Sequence, residues 1–250
     1  MTDQPASTLS TFGAGMTVAV IGASGGIGHA LSELLGASER VAHVLACSRS
    51  GRTPRHAKIE QRALDLEDEA SIAAAAASLE RPLDLAIVAT GILHGPELAP
   101  EKSWRALDGA ALERAFRINA VGPALVAKHF LPLLARDRKA AFAALSARVG
   151  SIEDNRLGGW HAYRASKAAL NMLIRTLAIE LARRRPQALC VALHPGTVDT
   201  ALSAPFQAGV PAERRFRPQV AAQHLLAVLD RLEAADSGRL FAWDGAAIPF

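Results

Sequence analysis

The sequence predicts an α/β fold, a single doubly wound parallel sheet with helices on both faces. Three observations predict it. Short apolar runs alternate with longer segments of helical periodicity along most of the chain. The first apolar run leads straight into a glycine-rich turn, Gly22-Ala-Ser-Gly-Gly-Ile-Gly28. The 250 residues, 50% hydrophobic and 21% charged, suffice for one domain with a substantial core, and no repeat or clear linker divides them.

Residues 1–15, rich in Ser, Thr, Pro and Gly, read as a flexible leader. They carry neither the basic start nor the apolar stretch of a signal peptide. Residues 16–250 form the domain. Met16 to Ile21 is an apolar run of strand length ended by the glycines, and Gly26 to Leu35 has helical spacing. Val41 to Cys47 is the second strand and Ile59 to Leu64 a weaker third, before a helix from about Asp68 to Leu79. Leu83 to Ala89 is the fourth strand. Ala110 to Ala135 holds one or two helices, with Pro123 suited to a helix start. Ala140 to Leu145, Ala188 to His194 and Leu240 to Trp243 complete the strands; His161 to Arg184 and Pro218 to Leu232 complete the helices.

Composition narrows the function classes. The net charge is +4, but the basic residues are scattered and aromatics are 5% of the chain, which argues against a nucleic-acid partner. The run Arg183 to Arg185 ends a predicted helix, where cations suit the dipole. No apolar run approaches the roughly 20 residues that span a bilayer, so no membrane partner is expected. Cys47 and Cys190 each lie in an apolar run and read as small buried hydrophobes. No disulfide framework is implied, which fits a reducing, cytoplasmic setting. No metal site is expected.

In such folds ligands bind outside the carboxyl ends of the strands. The turn Gly22 to Gly28 is placed there, with Ser24 and Ile27 between the glycines Gly22, Gly26 and Gly28. Glycines let the backbone approach a pyrophosphate, and the following helix offers unpaired amides and its positive dipole end. The chain therefore reads as a Rossmann-type dinucleotide-binding domain. The second strand ends in Cys47-Ser48-Arg49-Ser50, with no acidic residue for the ribose hydroxyls of NAD. Arg49 instead suits a 2′-phosphate, so NADP(H) is expected in preference to NAD(H). Asp65, next to Leu66 after the third strand, either bonds the adenine amino group or caps the nearby helix.

Tyr163 and Lys167 stand four residues apart in W-H-A-Y-R-A-S-K. On a helix they share one face. A nearby ammonium favours the phenolate and lowers a phenol pKa from its usual value near 10.

G-A-S-G-G-I-G, Asn119 in R-I-N-A-V-G-P, Y-R-A-S-K and H-P-G-T-V-D-T follow one another in order. With them the chain resembles the short-chain dehydrogenase/reductase family over nearly all of its length after about Thr17. The stretches R-V-G-S-I, L-G-G-W, Y-R-A-S-K-A-A-L-N-M and A-W-D-G-A-A-I-P-F make it most similar to the sniffer-type carbonyl reductases and C-factor-like signalling proteins. The resemblance implies that Tyr163 is the general acid and that Lys167 lowers its pKa and bonds the nicotinamide ribose. It implies that Asn119 holds a water in the proton relay. It also implies that Pro195, Gly196 and Thr197, with Val198 beside them, line the nicotinamide and its phosphates.

Two departures stand out. Where the family has an Asn-Asn-Ala-Gly run after the fourth strand, this chain has Val88-Ala89-Thr90-Gly91. The glycine survives; the bracing asparagines do not. Where the family places its catalytic serine, this chain has Ala147 in Ser146-Ala-Arg-Val-Gly-Ser151. Successive strand residues point to opposite faces, so Ser146 substitutes only if the strand has ended or bulged. Ser151 is the second candidate, and no serine the third reading.

The expected activity is hydride transfer from NADPH to an aldehyde or ketone with Tyr163 as acid. The alternative is an NADP(H)-binding signalling or sensor protein with little turnover, motivated by Ala147. Asp199 to Phe216 reads as a lid. Leu93, His94, Trp160 and Phe206 read as walls for a substrate of low polarity. Helices over Val121 to Arg136 and His161 to Arg184 are apolar over wide faces, and the resemblance implies a homodimer or homotetramer.

Overall fold

The computed structural model describes residues 9–96, 98–207, 211 and 215–250. Strands β1 (Met16–Ile21), β2 (Val41–Ser48), β3 (Ile59–Ala63), β4 (Leu85–Val88), β5 (Ala140–Leu145) and β6 (Ala188–His194) build a parallel sheet. A pair, β7 (Thr197–Val198) and β8 (Arg215–Phe216), stands apart from it. Strands β9 (Leu240–Ala242) and β10 (Ala247–Ile248) extend the sheet to eight strands in the order β10-β9-β6-β5-β4-β1-β2-β3, with β10 antiparallel. The helices are α1 (Gly26–Ala37), α2 (Glu69–Ala77), α3 (Gly109–Phe116), α4 (Gly122–Phe130), α5 (His161–Ala182) and α6 (Pro218–Arg231).

Each strand side chain alternates between two core layers. Val18 and Val20 join Leu31 and Leu35 of α1 and Leu225 and Leu229 of α6. Ala19 and Ile21 face Ile72 of α2, Val126 and Phe130 of α4, and Leu170 and Ile174 of α5. Central strands are buried on both faces, so their sequences are continuously apolar. Cys47 and Cys190 lie within these layers, and burial pushes both thiols up to about 12.

The structure corrects several boundaries. The leader expected to be flexible is packed from Leu9 onward. Leu9 and Phe12 are 1% and 2% exposed, and Asp230 accepts bonds from the amides of Ser10 and Thr11 at 2.9 and 2.7 Å. Two apolar anchors among polar residues hid this. Residues 1–8 lie outside the described residues. β4 spans Leu85–Val88 and is shorter than Leu83 to Ala89, although the Asp84 amide still donates to the Thr17 carbonyl and its carbonyl accepts from Ala141, at 2.9 Å each. The Asp84 carboxylate is buried and bonds the Thr17 amide at 2.8 Å and Arg138 Nε at 2.6 Å. The expected lid contains a short turn over Ala204–Phe206 and ends in β8, which pairs with β7 just before it; residues 208–210 and 212–214 of it lie outside the described residues.

Candidate active site

Strand order reverses between β1 and β4, the topological switch point at which doubly wound sheets open a crevice. The glycine turn rises there. Gly22 and Ala23 donate to the Cys47 carbonyl at 2.9 Å each, tying the turn to the end of β2. Gly22 has φ +92°, a conformation that favours glycine. A Cβ at Gly28 would stand 2.2 Å from the Gly22 carbonyl oxygen, so that position has no room for a side chain. Gly25, at the N-cap of α1, supplies no capping side chain, and the first amides of the helix are left for an external acceptor.

A cavity of about 350 Å³ opens over this turn, lined by Gly22, Ser24, Ser48, Arg49, Asp65 and Leu66. Arg49 is exposed and makes no hydrogen bond or ion pair among the described residues. Ser48 is buried and donates its hydroxyl to the Arg52 carbonyl at 3.1 Å. The helix-capping reading of Asp65 is overturned. Asp68 caps α2 through the Ala70 amide at 3.0 Å, whereas Asp65 accepts from the Glu67 amide at 3.0 Å and borders the cavity.

A second cavity, about 370 Å³, shares Ala89, Thr90 and Gly91 with the first and continues to Leu93, His94, Ser146, Tyr163, Lys167 and Pro195. Gly26 and Ile27 border it as well. Thr90 Oγ1 is buried without a hydrogen-bond partner among the described residues. An orphaned hydroxyl is destabilising, so one placed on the shared wall of two cavities fits a ligand that bonds it.

Tyr163 and Lys167 lie one turn apart on α5, with the Lys167 ammonium 5.9 Å from the centre of the phenol ring. Lys167 is 2% exposed and donates to the Leu145 carbonyl at 2.7 Å. The expectation that Lys167 lowers the phenol is not met in this structure. Burial pushes Tyr163 up to about 12 and brings Lys167 down to about 7. The ammonium that should favour the phenolate is itself desolvated.

β5 ends at Leu145, so the alternation that would turn Ser146 away from the site no longer applies. Ser146 lines the second cavity and donates its hydroxyl to Asn171 Oδ1 at 2.7 Å. Ser151 is buried, does not line that cavity, and accepts from the Asp154 amide at 3.0 Å. Asn119 sits in a π-helical turn over Arg117–Val121, between α3 and α4. Such turns are rare and recur at functional sites. Its side chain is fully buried and bonded to Ile92 and Ser166.

Asn119, Gly28, Gly196, Thr197 and Val198 border neither cavity, although Gly196 and its neighbours follow Pro195 directly, and of the expected substrate walls Leu93 and His94 line the second cavity whereas Trp160 and Phe206 do not. Residues not anticipated from the sequence are Ile92, Arg114, Thr200 and Leu202, which line the cavities, and Asn171 behind Ser146. One signal for Asn171 was available: it is polar in an apolar helical stretch and lies one turn beyond Lys167.

A family model described as short chain dehydrogenase matches residues 16–210. The chain belongs to this family. This short-chain dehydrogenase is an oxidoreductase. It is 39% identical over 151 residues to the C-signal of Myxococcus xanthus, covering 59% of this chain and 85% of that protein. It is 33% identical over 235 residues to the 1-hydroxy-2-glutathionyl-2-methyl-3-butene dehydrogenase of Rhodococcus sp. (strain AD45), covering 92% and 97% of the two chains. Among solved structures, the NADPH-bound carbonyl reductase from chicken fatty liver superposes with a TM-score of 0.81 at 28% identity, over 96% of this chain and 97% of that one. The Drosophila melanogaster carbonyl reductase Sniffer shares the fold, with a TM-score of 0.80 at 23% identity over 95% and 100% of the two chains. No helix among the described residues is long and apolar enough to cross a membrane.

Proposed function

We propose that this short-chain dehydrogenase is an NADPH-dependent reductase of aldehydes or ketones, with Tyr163 as the proton donor. One observation carries the reading: the cavity holding Tyr163, Lys167 and Ser146 adjoins the cavity holding the glycine turn and Arg49 across the shared wall of Ala89, Thr90 and Gly91. An extended dinucleotide fits that path. Arg49 and Ser48 would hold the 2′-phosphate, Asp65 and Leu66 the adenine, and Ser24 to Gly28 the pyrophosphate. Ala89, Thr90 and Gly91, with Pro195 to Val198, would border the nicotinamide end. The NADPH and NADP bound to two similar structures, at 28% and 27% identity, support the same choice. Reduced nicotinamide supplies the hydride when bound.

The chain's own residues then do the rest. The Tyr163 hydroxyl, protonated at neutral pH, donates to the carbonyl oxygen as charge develops there. Lys167, held by the Leu145 carbonyl one turn from the phenol, stabilises the resulting phenolate when protonated. The Ser146 hydroxyl, which donates to Asn171 Oδ1 in the free protein, would turn its single proton to the substrate oxygen. Asn119 fixes the loop at the mouth of the site.

The test is Tyr163→Phe, assayed by NADPH oxidation with a panel of aldehydes and ketones. The variant is expected to lose about 10²–10⁴ in kcat while keeping its NADPH affinity. Full activity in the variant would sink the assignment. The likeness to C-signal and the alanine at position 147 favour a second reading, an NADP(H)-binding signalling or sensor protein. That reading requires tight NADPH binding with no carbonyl turnover. A cytoplasmic homodimer or homotetramer completes the proposal. Met172 and Ile179, seven residues apart on α5, are 67% and 48% exposed and suit a partner helix; light scattering in solution tests it.

A further inference from the structure

Asn171 is buried in the middle of α5, one turn beyond Lys167 and two beyond Tyr163 on the same face. Its neighbours Leu170 and Ile174 pack into the core, so a polar side chain there needs partners of its own. It has two. Nδ2 donates to the Gly150 carbonyl at 3.3 Å, and Oδ1 accepts the Ser146 hydroxyl at 2.7 Å.

The backbone fixes which end of the amide faces which partner. Gly150 closes a short turn over Arg148–Gly150, its amide donating to the Ala147 carbonyl at 2.9 Å. A Cβ at residue 150 would stand 2.7 Å from Lys167 Cβ and 2.9 Å from the Lys167 carbonyl carbon, so the turn lies this close to α5 only because the residue is glycine. The Gly150 carbonyl can only accept. The amide must therefore present Nδ2 to Gly150, which leaves Oδ1, an acceptor alone, for Ser146. Ser146, itself buried, meets it with its single proton. The hydroxyl keeps its lone pairs, and no donor among the described residues bonds them.

Ser146 borders the second cavity together with Tyr163. At rest the two groups are opposite in polarity. The Tyr163 phenol is protonated at neutral pH and donates, whereas Ser146 accepts. An alcohol satisfies both, its oxygen accepting from Tyr163 and its proton going to Ser146. A carbonyl oxygen accepts from Tyr163 alone unless Ser146 turns, and that turn strands a buried Oδ1.

We infer that Asn171 is a positioning residue that keeps Ser146 a hydrogen-bond acceptor toward the cavity, so that the resting site receives the alcohol of the redox pair in preference to its carbonyl. The inference rests on the reductase reading and deepens it: binding the carbonyl requires Ser146 to leave Asn171, and binding the alcohol does not.

The test uses the full chain unmodified and as Asn171→Leu, Asn171→Asp and Ser146→Ala. Cyclohexanol and cyclohexanone, matched in shape and different in donor ability, are titrated by ligand-observed NMR. The alcohol is added to the NADPH-loaded protein and the ketone to the NADP⁺-loaded protein, pairs that cannot react. One hydrogen bond is worth about tenfold, so Asn171→Leu, which frees the Ser146 proton, should shift the ratio of the two affinities toward the ketone by about that factor. Asn171→Asp should keep the unmodified ratio, because a carboxyl oxygen accepts from Ser146 in either protonation state. Ser146→Ala should lose the alcohol preference with Asn171 in place. In turnover Asn171→Leu should lower KM for the ketone without lowering kcat/KM, whereas a packing defect would raise KM. An unchanged ratio in Asn171→Leu, a ratio in Asn171→Asp like that of Asn171→Leu, an intact preference in Ser146→Ala, or binding of neither ligand would overturn the inference. A ratio that depends on Asn171, in a protein that reduces no carbonyl, would uphold it and refute the reductase reading.

Discussion

Asn119 grips the backbone of Ile92 at both of its polar groups: Oδ1 accepts the Ile92 amide at 2.8 Å and Nδ2 donates to the Ile92 carbonyl at 2.9 Å. A further bond from Nδ2 to Ser166 Oγ at 3.0 Å ties the same side chain to α5. The loop after β4, Ala89-Thr90-Gly91, has no asparagine of its own, and its bracing comes from the π turn. Asn119→Ala would strand the amide and carbonyl of Ile92. Stability should fall by roughly 2 kcal/mol or more, read from urea denaturation. An unchanged midpoint would show that the clamp is dispensable.

Arg49 has no partner among the described residues, so its replacement disturbs nothing in the free protein. Arg49→Ala should weaken NADPH by about tenfold or more, since bonds to charged groups are worth about 1.5–3 kcal/mol, and leave NADH within about twofold. Fluorescence titration with both nucleotides measures it. A preference for NADH in the unmodified chain would remove the basis of the NADP(H) assignment.

Gly28→Ala drives a methyl group against the Gly22 carbonyl, a backbone atom that cannot swing away. The turn must open, and both thermal stability and dinucleotide binding should drop. A soluble Gly28→Ala protein with native affinity would contradict the close packing described for this turn.

Burial brings Lys167 from its ordinary value of 10.5 to about 7. Between those values the unfolded chain binds the proton and the folded chain does not, so this group makes stability rise with pH there. Below about pH 7 both states are protonated and the full desolvation burden remains. Lys167→Met should therefore stabilise the protein most at pH 6 and progressively less toward pH 10, by roughly 1.4 kcal/mol for each pH unit. Denaturation of both proteins across that range checks the sign. Tyr163 acts at the alkaline end: its folded value is raised to about 12, so its contribution to stability is present below pH 10 and lost as pH climbs toward 12.

The two serines are separable by kinetics. Ser146→Ala removes a hydroxyl that borders the Tyr163 cavity and should lower kcat by about a hundredfold, in the range seen for lost oxyanion donors. Ser151→Ala removes an acceptor of the Asp154 amide and should cost about 1 kcal/mol of stability with kcat within about twofold. The reverse ranking would move the catalytic hydroxyl to Ser151.

The sequence by itself determined the sheet, the helices around it and the glycine turn, because burial on both strand faces and close backbone approach restrict residue types locally. Continuous apolar runs such as Ala140 to Leu145 and the crowded Gly28 are legible for that reason. Only the tertiary structure decided which residues meet. It embedded Leu9 and Phe12 of an apparently loose leader, since contact with α1 and α6 depends on partners far along the chain. It ended β5 at Leu145, one residue before Ser146, and set Asn171 behind that hydroxyl. It also reversed the expected shift of Tyr163, because a pKa depends on how deeply the phenol and Lys167 are buried, and spacing along a helix carries no information about depth.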